Sequence, residues 1–154
     1  MGATTFVNSN WQLALSIQTQ TNRTVEKRTI DPWKWGEYTN SAQAVDVKQS
    51  EGTLYCSGQV AIDANGQVSD ADMRTQLLQT IQKVEQLISE AGYDCKNIVR
   101  LNIFTTSTTE FFTTCVDVYQ GFTARHGMKQ ATTMIEVKGL YQTATVELEA
   151  TVVK

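Results

Sequence analysis

The sequence is poor in the residues that metal centres, redox pairs and membrane anchors need. It contains one histidine and three cysteines, Cys56, Cys95 and Cys115, with no CxxC pair. This composition offers no Cys/His cluster for zinc and no Ser-His-Asp set, and we expect three free, buried thiols. No apolar run approaches the roughly 18 residues that span a membrane. The first residues do not form a basic and apolar leader, so we expect a cytoplasmic protein without a membrane partner.

Positive charge is scarce as well. Thirteen Lys and Arg residues stand against sixteen Asp and Glu residues, which gives a formal net charge of −3 and a pI near 5.1. The cations are scattered along the chain. The densest group is Arg23, Lys27 and Arg28, and the acidic Glu26 lies within the same stretch. Because nucleic-acid binding depends on clustered Lys and Arg, nucleic acid is not an expected partner.

The strongest pattern in the chain predicts a long amphipathic helix over residues 69–92. Ser69 or Asp70 is expected to cap its first turn, Asp72 adds negative charge there, and Gly92 is expected to end it. The apolar positions recur at steps of three and four, as one helix face requires: Met73, Leu77, Leu78, Ile81, Val84, Leu87, Ile88 and Ala91. Such a stripe needs a broad apolar surface to cover, and the flanking segments predict a sheet.

Turn signals and alternating apolar residues divide the rest of the chain into strands and one further helix. A helix is predicted over 109–126, capped by Thr108 or Thr109 and ended by Gly127, and a hairpin turn at 64–66. Strands are predicted near residues 42–48, 53–62, 99–106, 132–138 and 145–153. This order predicts an α+β fold with both helices on one face of the sheet.

Residues 1–30 are interpreted as an N-terminal extension, and residues 31–154 as a single domain. Alternation over 11–17 and 24–30 predicts a hairpin of extra strands, with a mobile arm as the alternative. On the sheet face away from the helices we expect these apolar side chains: Leu54, Val60, Leu101, Ile103, Ile135, Val137 and Leu148. A face of that kind needs a covering partner, so we expect the chain to self-associate.

Several ordered motifs resemble the RidA family, also called YjgF/YER057c/UK114. They are LYCSGQVAIDANG, the helix ending in EAG, NIVRLNIFTT, MIEVKGL and VELEA, and the resemblance covers about residues 31–153. It implies a chorismate-mutase-like mixed sheet with two helices on one face. It also implies a homotrimer with ligand clefts between subunits and no cofactor. Well-known members hydrolyse imines and enamines, such as 2-aminoacrylate, to a keto acid and ammonia.

Residues kept from the family pattern suggest a water-holding carboxylate. The resemblance makes Glu147 the candidate for positioning a water, and it places Ser57 and the backbone of Gly58 in the ligand cleft. Alternation puts Glu147 and Glu149 on the same face of their strand, so a pair of solvated carboxylates is the competing interpretation.

Other family positions have changed in this chain. Thr132 stands where deaminating members have an arginine that holds the substrate carboxylate at two points, and one hydroxyl cannot replace that fork. Met134 stands where the family has a cysteine, and Ser41 where a tyrosine is common. The helix asparagine falls near Cys115, subject to a shift of one residue. These four positions are the remaining candidate ligand-binding residues.

The changed positions leave three functions open. The first is imine or enamine hydrolysis with altered substrate preference and weak or absent activity on 2-iminopropionate. The second is a non-catalytic ligand-binding or interaction module. The third is a ribonuclease, an older label of some relatives, which the acidic pI disfavours.

Overall fold

A computed structural model describes residues 25–33 and 38–154 of the chain. The predicted strand at 11–17 lies outside the described residues. Three strands precede the first long helix, and a short 3-10 turn at Cys95–Asn97 follows that helix. In order, the strands and helices are β1 (Glu26–Ile30), β2 (Ala44–Lys48), β3 (Thr53–Tyr55), α1 (Met73–Glu90), β4 (Ile98–Thr105), α2 (Thr108–Thr114), α3 (Val116–Arg125), β5 (Ala131–Glu136) and β6 (Val146–Val153).

The main sheet has four strands in the order β3-β6-β4-β5. β6 is antiparallel to β3 and β4, whereas β5 runs parallel to β4. β1 and β2 form a separate antiparallel pair, with Glu26 opposite Lys48 and Arg28 opposite Asp46. The mixed α+β fold expected from the sequence is therefore confirmed.

The register of β4 against β6 assigns side chains to the two faces of the sheet. Leu101 pairs with Ala150 and Ile103 with Leu148, and all four are buried under the helices. The prediction that Leu101, Ile103 and Leu148 lie on the open face is therefore wrong. The open face instead carries half-buried residues at the alternate positions: Asn102, Phe104, Glu147 and Glu149.

Helix α1 covers the sheet with a narrower stripe than the sequence predicts. Met73, Leu77, Ile81, Val84 and Ile88 are buried, and Gln76 and Thr80 are buried beside them. Leu78 is 47% exposed, and Leu87 is only partly buried. Ala91 lies beyond the helix and is exposed. Which residues of the stripe are buried depends on how the helix packs on the sheet, and the spacing of apolar residues does not show this.

The ends of α1 follow from its capping residues. Asp72, and not Ser69 or Asp70, is the N-cap, because its side chain accepts a hydrogen bond from the Thr75 amide at 2.8 Å. Ser69 instead accepts from the Ala71 amide one turn earlier. Gly92 has a φ of +74°, which confirms its predicted role as the left-handed residue that ends the helix.

The second predicted helix is broken in two at Cys115. Its φ of −122° departs from helical values between α2 and α3. Ser107, which precedes both predicted caps, accepts from the Glu110 amide at 3.2 Å. Phe111, Tyr119 and Phe122 still bury one continuous apolar stripe under this pair of helices.

Strand β3 is shorter than predicted because the chain bulges beyond it. Tyr55 pairs with Thr151, yet Gln59 pairs with Leu148, so the segment between them contains one extra residue. Backbone hydrogen bonds of 2.8 and 3.0 Å join Gln59 and Leu148. Such a bulge redirects the side chains around it, here those of Ser57 and Gly58.

All three cysteines are free and buried, as the sequence predicts. Within the described ranges, no helix has the length and apolar character needed to cross a membrane. The same ranges hold no group of three or more His, Cys, Asp and Glu side chains placed to bind a metal ion.

The neighbours Leu77 and Leu78 test how α1 lies on the sheet. Leu77→Ala is expected to lower the free energy of unfolding by about 2–5 kcal/mol, because its side chain is fully buried. Leu78→Ala is the matched control and is expected to change it by no more than about 0.5 kcal/mol. Urea unfolding followed by circular dichroism measures both. Equal losses in the two variants would contradict this placement of the helix.

Candidate functional site

A cavity of about 280 Å³ opens beside the edge strand β5. It lies between β5, the helices α2 and α3, and residues 39–43, and its interior is largely apolar. Thr132 and Met134 reach it because they share a face with Leu101 and Ile103, their partners on β4. The other apolar lining residues are Ile103, Phe111, Phe112 and Val116.

The Thr132 hydroxyl belongs to a small polar network with Tyr119 and Gln130. It lies 3.0 Å from the hydroxyl of Tyr119, which is 2% exposed. The buried amide of Gln130 donates to the Tyr119 hydroxyl at 2.8 Å and to Thr132 at 3.1 Å. The three side chains contact one another and present no charge to the cavity, while the buried Oε1 atom of Gln130 has no hydrogen-bond partner among the described residues.

Two of the other sequence-predicted ligand positions differ in their exposure to the cavity. Ser41 lines it, and its hydroxyl contacts the Thr39 hydroxyl at 3.2 Å. Cys115 does not line it, because its side chain is fully buried in the core. Burial raises the pKa of the Cys115 thiol, which keeps it protonated and unreactive. Val116, one residue along, lines the cavity instead.

The sequence did not identify Arg100, Tyr119 or the two adjacent phenylalanines as cavity residues. Arg100 lines the cavity beside Thr133, and its Nη2 lies 3.4 Å from the Thr133 hydroxyl. Arg100 lies beside Ala131 because β4 and β5 pair in parallel. The spacing of residues within either strand does not reveal this pairing, so the sequence contained no signal for Arg100.

The remaining predicted residues form a second cluster on the open face of the sheet. The Glu147 carboxylate lies directly over the backbone of Gly58. An ideal Cβ on Gly58 would stand 1.6 Å from the Glu147 Oε1 atom, so only glycine leaves room for the carboxylate there. Gln59 steadies the bulge by donating to the carbonyl of Ser57 at 3.1 Å and to its hydroxyl at 3.3 Å.

The environment of Glu147 favours its protonated form. Burial, followed by the nearby charge of Glu149, raises the pKa of Glu147 above its usual value. Glu149 accepts a hydrogen bond from Asn102 at 3.3 Å, whereas no hydrogen bond to Glu147 occurs among the residues that the structure describes. A half-buried, unpaired carboxylate of raised pKa is suited to take a proton from a water molecule.

The two clusters lie on opposite faces of one sheet. Thr132 is in register with Leu101 on the helix-covered face, whereas Glu147 is in register with Phe104 on the open face. One chain therefore brings Thr132, Met134 and Ser41 together and, separately, Glu147, Gly58 and Ser57. It does not bring the two sets into a single cleft.

Comparison with known proteins gives the class of the protein. The model of the family described as Endoribonuclease L-PSP matches residues 36–154. A RutC family protein of Aquifex aeolicus is 30% identical over 113 residues, which cover 73% of this chain and 87% of that protein. The chain therefore belongs to the L-PSP family, in which the Rid proteins are grouped, and the resemblance to RidA is confirmed.

Solved structures agree with this assignment. The crystal structure of the Rid family protein YyfB from Yersinia pestis is similar with a TM-score of 0.74 and 25% identity. The match covers 83% of this chain and 98% of that one. A putative endoribonuclease from Thermotoga maritima is similar with a TM-score of 0.61 and 25% identity, covering 73% and 85% of the two chains.

The contact between Gly58 and Glu147 predicts that a substitution at Gly58 changes the pKa of Glu147. In Gly58→Ala the new methyl group displaces the carboxylate, the mobile end of a flexible side chain, towards water. The pKa of Glu147 is then expected to fall towards its usual value, because burial is the main cause of its elevation. A ¹³C NMR titration of the Glu147 carboxyl carbon measures the change.

Ser57→Ala is the control, because the Ser57 hydroxyl makes its contact with Gln59 and not with Glu147. A raised folded-state pKa adds stability below the unfolded-state pKa, and this gain is lost as the pH rises through the folded-state value. The Gly58→Ala variant should therefore lose less stability than the wild type on going from acid to neutral pH. An unchanged pKa in Gly58→Ala would contradict the contact.

Proposed function

We propose that the chain assembles as a homotrimer in which each ligand cleft lies between two subunits. The observation that carries this proposal is the separation of the cavity and Glu147 on opposite faces of one sheet. A second copy laying its open face against the β5 edge would bring a Glu147 carboxylate to the cavity mouth. Among the described residues, β5 pairs with β4 on one side and makes a single bridge, between Ala131 and Ala42, on the other. The family resemblance implies an assembly of this kind.

Within such a cleft we expect water to add to the C=N bond of an imine, or of an enamine after tautomerisation. Glu147 takes a proton from the water as the water oxygen bonds to the carbon, and Glu147 then passes this proton to the nitrogen. The resulting carbinolamine then releases ammonia and leaves a carbonyl group. Three observations support this role. The pKa of Glu147 is raised, its carboxylate has no hydrogen bond to a described residue, and the carboxylate packs against the backbone of Gly58.

Substrate preference is expected to differ from that of arginine-containing members. Thr132 offers no charge, and its hydroxyl is occupied by Tyr119 and Gln130. Losing a buried charged pair weakens binding by about 2–5 kcal/mol, or roughly 30- to 5,000-fold. We therefore expect weak or absent turnover of 2-iminopropionate.

A non-catalytic ligand-binding module is the second candidate. It is favoured by the uncharged network of Thr132, Tyr119 and Gln130, together with Met134 in place of a cysteine, because the described interior of the cavity then holds no readily titratable group. RNA is not proposed as a substrate despite the family description. The cations Arg28, Arg74 and Arg125 are each engaged by a carboxylate within 3.2 Å, so they form no free surface for phosphates.

The assembly predicts a measurable mass. Light scattering after size-exclusion chromatography is expected to give three times the chain mass of 17.2 kDa. Glu149→Arg, which places a cation in the proposed interface beside Asn102, is expected to shift the mass towards that of one chain. Glu90→Arg, at the end of α1 away from that face, is the control and should remain trimeric. A monomeric wild-type chain would overturn the proposal.

Turnover tests the role of Glu147. Imines formed in the assay by an amino-acid oxidase are expected to be hydrolysed faster by the wild-type chain than by Glu147→Gln, by about 100-fold or more. Glu149→Gln is the matched control, because it removes a carboxylate from the same face and keeps Glu147. Ammonia release gives the rate.

Other results of the same assay distinguish the two candidates. Thr132→Arg is expected to increase turnover of 2-iminopropionate, because it restores a carboxylate partner. Full activity in Glu147→Gln would contradict the proposed water-positioning role. Ligand binding without turnover of any imine would select the non-catalytic module.

A further inference from the structure

Arg100 differs from the other arginines in the described part of the chain. Arg28, Arg74 and Arg125 pair with Asp46, Asp117 and Glu85, respectively. Arg100 forms no ion pair with any described residue. Its one side-chain hydrogen bond is a long contact of 3.4 Å to the Thr133 hydroxyl. An exposed guanidinium with its donors unused is available to an anion.

A bulge in β4 directs Arg100 away from the core. The register of β4 against β6 shifts between Ile98 and Arg100. Residues two apart in a regular strand share a face, so without this shift Arg100 would lie with buried Ile98. With the shift, Leu101 takes the buried side, and Arg100 is exposed where it lines the cavity.

The cavity behind Arg100 is small and apolar. Its walls include Phe111, Phe112, Val116 and Met134, and its volume of about 280 Å³ holds about nine non-hydrogen atoms at roughly 30 Å³ each. Thr132 carries no charge, and its hydroxyl already contacts Tyr119 and Gln130. Arg100 is the one cation among the lining residues that the structure describes.

We propose that Arg100 is the anion-recognising residue of this cavity, which binds a small carboxylate with an apolar aromatic or branched substituent. The carboxylate contacts the guanidinium at the mouth, and the substituent enters between Phe111, Val116 and Met134. This inference rests on the proposed function, since it assigns the cavity as the substrate-binding half of that cleft. It makes Arg100 a specificity-determining residue on a different strand from Thr132.

Calorimetry with two probes of equal shape tests the proposal. Phenylacetate carries the charge, and phenylacetamide carries the same ring without it. The wild-type chain is expected to bind phenylacetate about tenfold more tightly than phenylacetamide. Arg100→Gln is expected to remove this preference by weakening phenylacetate alone, whereas Arg100→Lys keeps part of it. Met134→Trp, which fills the cavity without adding a charge, is expected to weaken both probes.

Arg28→Gln is the control, because Arg28 lies on β1 and lines no part of this cavity. Equal affinity for the two probes in the wild type, or an unchanged preference in Arg100→Gln, would overturn the proposal. Light scattering of each variant accompanies the titrations. Loss of phenylacetate binding together with loss of the assembly would also overturn it, because a contact between copies would then explain Arg100.

The two proposals fail separately in these experiments. Calorimetry requires no turnover, so a chain that hydrolyses no imine but prefers phenylacetate through Arg100 leaves this inference standing. A chain that hydrolyses imines without any preference for the charged probe overturns this inference alone.

Discussion

The register of β4 against β6 is the constraint on which both clusters of candidate site residues depend. Ile103 opposite Leu148 places apolar side chains under the helices, and Phe104 opposite Glu147 places a carboxylate on the other face. A slip of one residue would exchange the two faces along the entire pair. Because burial of the apolar set opposes such a slip, the energy that folds the core also determines where Glu147 lies.

Two irregularities interrupt the regular pairing of the strands. The extra residue between Tyr55 and Gln59 brings the backbone of Gly58 against the Glu147 carboxylate. The register shift after Ile98 turns Arg100 out of the core to the cavity rim. Both lie beside the central strand pair, where bulges redirect side chains without disturbing the core. The chemistry of the site therefore depends on departures from the strand pattern.

Local patterns in the sequence predicted most of the elements but not their faces. Gly92 and the strands around Leu101 and Leu148 follow from periodicity and backbone preference, which act within a few residues. Which face those strands bury depends on pairing between distant segments, and the prediction for Leu101 was wrong for that reason. The family resemblance supplied Thr132 and Glu147 as candidates. Arg100 was missed, because only a bulge and a neighbouring strand bring it to the cavity.

The cavity accepts different ligands depending on whether the arginine lies at position 132 inside it or at position 100 on its rim. An arginine at position 132 would be partly buried, and its desolvation cost would be recovered only by a ligand that places its carboxylate inside. With Thr132 neutral and Arg100 at the rim, the interior is free for an apolar substituent, while the cation stays hydrated until a ligand arrives. An exposed cation binds each carboxylate less tightly, because water screens it. In the proposed cleft, affinity would then come mainly from apolar contact within the cavity, which favours ligands larger than 2-iminopropionate.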